Sequence, residues 1–352
     1  NHSNAGWRNY GRTCPGRVLR TEYFKLYGGG KLEMSAIYKK YRREWSTLVA
    51  LLITFVLFSA LEPSYLSATN VATIITQAVT YGLMGIGMTC VIISGGIDLS
   101  VGSSLALLAC IGAQLAKMGL PIPIWILACL ALGFLMGVLN GVLVGKMKLQ
   151  PFIATMGTMQ VYRGVAYVIT GGFPVLNVPR NYRNVFNFKI TSVMTFAVVI
   201  FFLFAVIITF VLKKTKIGAY TYAVGGNEDA ARLSGVRVER TKALIYGIGM
   251  LGTTLAALVM IGRLGTGDPS TGQGYEMDAI AAAAIGGTSM AGGRGNIFGT
   301  VIGAVLFSAL KVGLVVMGVD TFYQYIVTGV VIIIAAYIEI VQGNMLAKKK
   351  EK

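Results

Sequence analysis

Two acidic side chains sit where an otherwise apolar sequence breaks. Asp98 lies in GGIDLSVG, Gly95 to Gly102, and Asp278 opens a short apolar run that ends at Ile285. A charge in hydrocarbon costs about 2.5–3.5 kcal/mol on insertion scales, so such residues serve a polar path, an ion site or an internal bond. A second interruption, GGTSMAGGRG at Gly286 to Gly295, carries Thr288 and Ser289. Broken helices of this kind free backbone groups that must line a cavity or be buried in protein. Asp98 and Ser100 are therefore candidate path residues, as are Thr288 and Ser289; the alternative is a tight turn at the inner surface with Asp98 capping the next helix. Two helical stripes add polar groups: Thr73, Gln77, Thr80 and Tyr81, continued by Met84 and Met88, and Gln160, Arg163 and Tyr167. Either stripe can hydrogen-bond hydroxyl groups or fasten one helix to another. Lys311 fits an inward role or snorkelling outward.

Covalent chemistry is poorly served by this set. The single histidine, His2, is remote from every apolar stretch, which removes histidine metal sites, Ser-His pairs and histidine relays. Cys90, Cys110 and Cys129 fall inside apolar stretches without paired spacing and read as small core residues. Gly247, Gly249 and Gly252 match GxGxxG but follow no strand, so they do not indicate a dinucleotide site. The sequence contains no G-x-x-x-x-G-K-[ST] motif; any ATP-driven step needs an ATPase on another chain.

GGNEDAARLSGV, Gly225 to Val236, has a different character. After Gly225 and Gly226, Asn227 suits an N-cap, Glu228 and Asp229 the positive helix start, and Ala230, Ala231, Arg232 and Leu233 the body, with Arg232 at the negative end and Gly235 at C′. This specifies a two-turn helix about 10 Å long outside the membrane, suited to docking on a partner; a solvated loop is the alternative.

The elements that must position these residues are membrane spans. Of 352 residues, 55% are hydrophobic and 13% charged, with a mean hydropathy of +0.68, against roughly 25% charged in soluble domains. The net charge of +17 marks inner loops rather than a nucleic-acid partner. The spacing predicts ten spans with both ends inside: Ser46–Leu61, Val71–Ile93, Val101–Met118, Ile122–Gly145, Phe152–Thr170, Val193–Leu212, Ala243–Gly262, Asp278–Ile285, Ile297–Met317 and Tyr325–Ile340. The longest inner loop covers 213–242, and residues 343–352 form a basic cytoplasmic tail. Gly133, Gly137, Gly141 and Gly145 put one glycine per turn on a single face, a ladder for close helix packing. Residues 1–33 are polar and basic, and Gly28 to Gly30 before Met34 resemble a translated ribosome-binding site. The expectation is a native start at Met34 with 34–45 as the cytoplasmic N-terminus. The two glycine interruptions resemble each other but lie an even number of spans apart, whereas an inverted repeat needs an odd offset.

GGIDLSVGS, PFIATMGTM followed by Arg163-Gly164, GGNEDAARLSGV, GYEMDAIAA at Gly274 to Ala282, and GGTSMAGGRG together resemble the permease subunit of bacterial ribose-type ABC importers, in the branched-chain amino acid/ribose permease family. The resemblance runs from about Trp45 to Val341. It implies an all-α, polytopic bundle of about ten transmembrane helices of the type II importer kind in the bacterial cytoplasmic membrane. It further implies a second permease copy, cytoplasmic ATPase subunits that hold ATP and Mg, and a periplasmic or lipid-anchored sugar-binding protein. Asn227 to Gly235 would be the coupling helix, and the outer segment from Asp268 through Ser270 to Glu276 would face the binding protein. On this reading the chain works by alternating access, breaks no covalent bond and holds no cofactor or metal of its own. A stand-alone secondary transporter using Asp98 and Asp278 as ion sites is the competing reading. A membrane enzyme lacks an acid/base constellation. The sequence does not specify which sugar is carried.

Overall fold

The computed structural model describes residues 42–191 and 194–348. The expectations for residues 1–33, for most of 34–45 and for the tail beyond Lys348 lie outside the described residues. Among the described residues the chain is helical, its only β pairing being two isolated bridges. The elements are α1 (Arg42–Leu61), α2 (Ala68–Ile93), α3 (Val101–Lys117), α4 (Ile122–Gly145), α5 (Pro151–Thr170), α6 (Arg180–Asn187) and α7 (Phe196–Lys214). They continue with α8 (Lys216–Gly226), α9 (Glu228–Leu233), α10 (Val238–Leu264), α11 (Tyr275–Ile285), α12 (Ile297–Val316) and α13 (Thr321–Lys348). Five of them, α2, α4, α7, α10 and α12, are long and apolar enough to cross a membrane by length and composition, and shorter apolar stretches occur in α1, α3 and α13.

Each expected span has its helix, and the boundaries follow local chemistry. Pro151 starts α5, where its missing N–H has no helical partner to lose, and Gly171 and Gly265 close α5 and α10 in the left-handed conformation at φ 62° and 70°. α13 runs on to Lys348, so the expected tail begins as helix. The outer loop after α5 contains an unexpected helix, α6, whose Tyr182 and Phe186, one turn apart, bury their rings edge-on against Trp125.

The glycine ladder of α4 lies against α10 over its whole length. A Cβ at Gly133 would strike Thr254, at Gly137 the Tyr246 backbone, at Gly141 Lys242 and Ala243, and at Gly145 Glu239. The GxGxxG glycines of α10 have the same role, Gly249 resting on Gly87 and Gly252 on the Leu83 carbonyl. In lipid, where burial supplies no drive for helix association, such backbone approach supplies the van der Waals contact.

The eighth span departs from expectation. At 11 residues, α11 is about 16 Å long and covers only half of a hydrocarbon core of about 30 Å. The other half is crossed by the preceding segment, which descends into the bundle. Gly267 lies against Ala109 and Cys110 midway along α3, and Gly272 against Gly102 in its first turn, about 10 Å deeper by helical rise. Arg163, in the second half of α5, holds this re-entrant strand by donating to the carbonyls of Pro269 at 2.5 Å and Thr271 at 2.6 Å.

The meeting of Gly102 and Gly272 resolves the repeat. A Cβ on either would strike the carbonyl oxygen of the other. Around them Asp98-Leu99-Ser100-Val101-Gly102 recurs as Asp268-Pro269-Ser270-Thr271-Gly272. In both copies one aspartate oxygen accepts from the serine N–H and Oγ, at 2.9 and 2.6 Å in the first and 2.8 and 2.7 Å in the second. The register that carries Asp98 to Asp268 also carries Ala68 to Val238 and Pro151 to Thr321, so α2–α5 correspond to α10–α13. Contacts follow suit: α4 packs on α10 as α12 packs on α2, and α3 on α5 as α11 on α13. Five spans separate the halves, an odd offset, and they run in opposite directions. The similarity between the Gly95 and Gly286 motifs is therefore not the repeat.

Candidate coupling helix and membrane cavity

α9 forms as its residues specify. Asn227 is extended at φ −162°, ends α8 and caps α9, its Oδ1 accepting from Ala230 N at 2.8 Å. Gly235 at φ 84° and the Val236 N–H to Ala231 carbonyl bond of 3.0 Å close the other end, and Val236 packs with Val224, Ala231 and Val238. The expected two-turn helix is thus six residues long, and the loop 213–242 around it is mostly helical because Thr215 caps a further helix, α8, through Gly218 N.

Charge fixes α9 to the start of α10. Arg232 donates to Glu239 at 2.5 Å and to Glu228 at 3.4 Å, and Lys242 reaches the other Glu228 oxygen at 2.6 Å. The hydrogen bond to Glu239 holds the Arg232 guanidinium above its ordinary range. Of these side chains only Lys242 is buried; the Arg232 pairs lie at the surface, and Leu233 beside them has 90% of its surface exposed.

Behind α9, Gly225 and Gly226 join α8 to both glycine interruptions. Gly225 abuts the Ile93 carbonyl, which also accepts from Gly293 N at 2.9 Å, and Gly226 lies against Gly293. Gly292 touches Gly95 as well as Gly225, and Tyr222 donates to the Gly295 carbonyl at 2.9 Å. The chain leading into α9 is thus in backbone contact with the C-terminal end of α2 and with the approach to α12. Thr288 is buried here with its Oγ1 unpartnered, and Ser289 bonds through its N–H to the Arg294 carbonyl.

Asp98 and Ser100 form a second closed knot. Besides the serine bonds, Asn140 of α4 donates to both Asp98 oxygens at 3.2 Å and to Ser100 Oγ at 2.8 Å, while Tyr162 donates to the Met136 carbonyl at 3.0 Å. Asp98 is 2% exposed. The turn before α3, rather than a path lining, is the role these bonds describe, and a buried carboxylate is retained when donors surround it in this way. Asn140, which completes the site, carries no sequence signal beyond being polar within a span.

A further group of polar residues lines a cavity of about 590 Å³ between α2, α11, α12 and α13. Gln77 and Tyr81 line it from α2, Tyr275 and Asp278 from α11, and Lys311 from α12. Lys311 bonds Asp278 at 2.6 Å and stands 4.9 Å from the Tyr81 ring and 5.1 Å from that of Phe307, so it does not snorkel outward. The Tyr81 and Tyr275 rings meet edge to face at 5.4 Å. Gln77 Oε1 is buried without a partner.

The family described as "branched-chain amino acid transport system / permease component" matches residues 70–336. The chain belongs to this permease family. Its relatives include the ribose import permease of Escherichia coli strain K12, 39% identical over 86% of this chain and 95% of that protein. The ribose import permease of Bacillus subtilis strain 168 is 41% identical over 83% of this chain and 91% of its own length. The galactose/methyl galactoside import permease of Haemophilus influenzae is 34% identical over 85% and 94%. No solved structure gives a significant match.

Of the path residues expected in this permease, the structure brings Gln77 and Tyr81 to the cavity. Arg163 acts one step back, holding the re-entrant strand that leads to Tyr275 and Asp278. Gln160 is exposed on the outside of α5. Among the expected outer-segment residues, Ser270 is exposed, Asp268 is half-buried beneath it, and Glu276 is turned to Gly102 at the start of α3. That corrects a simple outer loop to a segment largely inside the bundle. Lys311 and Tyr275 were not singled out as path residues; Lys311 within an apolar span was the available signal.

Proposed function

We propose that this chain is the membrane-spanning permease subunit of an ATP-driven importer of a monosaccharide, in the bacterial cytoplasmic membrane. Two copies form the path by alternating access, a cytoplasmic ATPase pair binds ATP and Mg, and a binding protein delivers sugar from outside. The observation that carries this reading is α9: a self-capped helix presenting an exposed leucine, seated on the glycine knot that joins both broken helices, in a chain whose relatives are ribose and galactose import permeases. Closure of the ATPase pair on ATP moves α9, and the knot passes that displacement to α2 and α12, biasing the bundle between inward- and outward-open states.

The test is sidedness. With cysteine at Asp229, an exposed position on α9, in intact cells and in inverted vesicles, a membrane-impermeant thiol reagent should label only the inverted vesicles. Labelling of intact cells would place α9 outside and end the proposal.

A further inference from the structure

The repeat builds two symmetry-related positions, one where α10 meets α3 and α4 and one where α2 meets α11 and α12, and they are filled differently. In the register that carries Asp98 to Asp268, Gln77 corresponds to Gly247, Tyr81 to Leu251, Asp278 to Leu108 and Lys311 to Gly141. The first position is close-packed. Gly141 brings the α4 backbone onto Lys242 and Ala243, Gly247 rests on Phe134, and Leu108 is 1% exposed. The second carries an amide, a phenol, a carboxylate and an ammonium around the 590 Å³ cavity. Packing that the fold achieves once with glycine and leucine is replaced at the related position by long polar side chains. Structural need does not account for that difference, since buried polar groups cost stability unless bonded and Gln77 Oε1 is unbonded.

We infer that this cavity is a sugar subsite of the translocation path. The inference rests on the importer reading above and names where its cargo rests within the membrane. The chemistry suits a neutral polyol of monosaccharide size. The volume lies within the roughly 300–1,000 Å³ of small-ligand sites. Tyr275 and Tyr325 in the cavity wall add aromatic carbon that can pack against the C–H groups of a sugar ring. Gln77 Oε1 awaits a hydroxyl donor. Asp278 and Lys311 already neutralise each other, so the site has directional donors and acceptors without net charge, which does not favour an anion or a cation. Gln273 and Gly274, at the end of the re-entrant segment, form part of the wall, and irregular backbone at membrane depth occurs where it lines a cavity or is buried in protein.

The test uses membranes of cells carrying the complete importer, with Thr328, whose side chain lines the cavity, replaced by cysteine and Cys14 by serine. Cys90, Cys110 and Cys129 are buried and give a low background. Uptake of ribose, xylose and galactose is measured first, then thiol modification with and without the transported sugar at 100 times its half-saturating concentration. The transported sugar should slow modification at least fivefold relative to sugar-free buffer, while added phospholipid leaves it unchanged. Uptake with unprotected modification overturns the subsite and leaves the importer reading intact, as does protection by phospholipid alone. Absence of uptake in the unmutated membranes overturns the importer reading itself, and the subsite with it. Gln77→Leu gives an independent readout: removal of an unbonded acceptor leaves the unfolding midpoint equal or higher, whereas uptake at subsaturating sugar falls at least fivefold. Unchanged uptake in that variant also counts against the subsite.

Discussion

Leu233→Ser separates docking from folding. Leu233 keeps 90% of its surface in water at the last position of α9, and the ion pairs that hold the helix run through Glu228, Arg232, Glu239 and Lys242 instead. Surface substitutions away from special features shift stability by about 0.5 kcal/mol or less, so the unfolding midpoint of the purified permease should scarcely move. Burial of a leucine side chain at an interface is worth about 1.5–3 kcal/mol. At 1.4 kcal/mol per tenfold, loss of that burial weakens association with the ATPase about 10- to 100-fold. The assay is titration of detergent-solubilised permease with its ATPase, read by sedimentation or fluorescence anisotropy. Association within twofold of the wild type would refute the assignment of α9 as the docking helix, because no other apolar side chain on it is so fully presented.

Four further substitutions probe the supports. Arg232→Glu places three carboxylates together where two now share a guanidinium, so α9 should loosen from α10; ATP hydrolysis should continue while uptake stops, and coupled transport in that variant would contradict the docking geometry. Gly272→Ala forces a Cβ at φ 77° into the Gly102 carbonyl, costing about 2–4 kcal/mol by strain and overpacking, seen as a lower midpoint in detergent, whereas Gly164→Ala, with nothing within 4 Å, should be tolerated. Asn140→Leu strips donors from both Asp98 oxygens and from Ser100; at about 1.5–3 kcal/mol for a hydrogen bond to a charged group it should lower the midpoint clearly, and an unchanged midpoint would show the knot to be incidental.

Much of this bundle is legible in the sequence because hydropathy, proline and glycine set helix ends locally: Pro151, Gly171 and Gly265 stand where α5 and α10 begin or end. α9 is legible for the same reason, its caps lying within its own twelve-residue motif. The re-entrant strand is not. Its glycines, Pro269 and Ser270 have the composition of a surface turn, and its depth is set by Arg163 and Gly102, more than a hundred positions away in the chain. α8 is masked in the sequence by Lys213, Lys214 and Lys216, which read as a solvated inner loop although the first two end α7 and the third opens α8. The inverted repeat was legible in principle from D-x-S-x-G at Asp98 and Asp268, but paired glycines at Gly95 and Gly286 were the more visible likeness. Their actual relation is contact, through Gly292 against Gly95. Asp98 looked like a path residue because its type is costly in lipid, and the donors that meet that cost come from Asn140 on another helix.

If a separate ATPase drives this permease through α9, uptake of labelled ribose, xylose and galactose into proteoliposomes will separate the complete system from the permease alone. Vesicles holding the permease with its ATPase, binding protein and ATP-Mg should accumulate at least one sugar. Vesicles holding the permease alone should accumulate none under any ion gradient, and gradient-driven accumulation there would show that α9 is not the drive point.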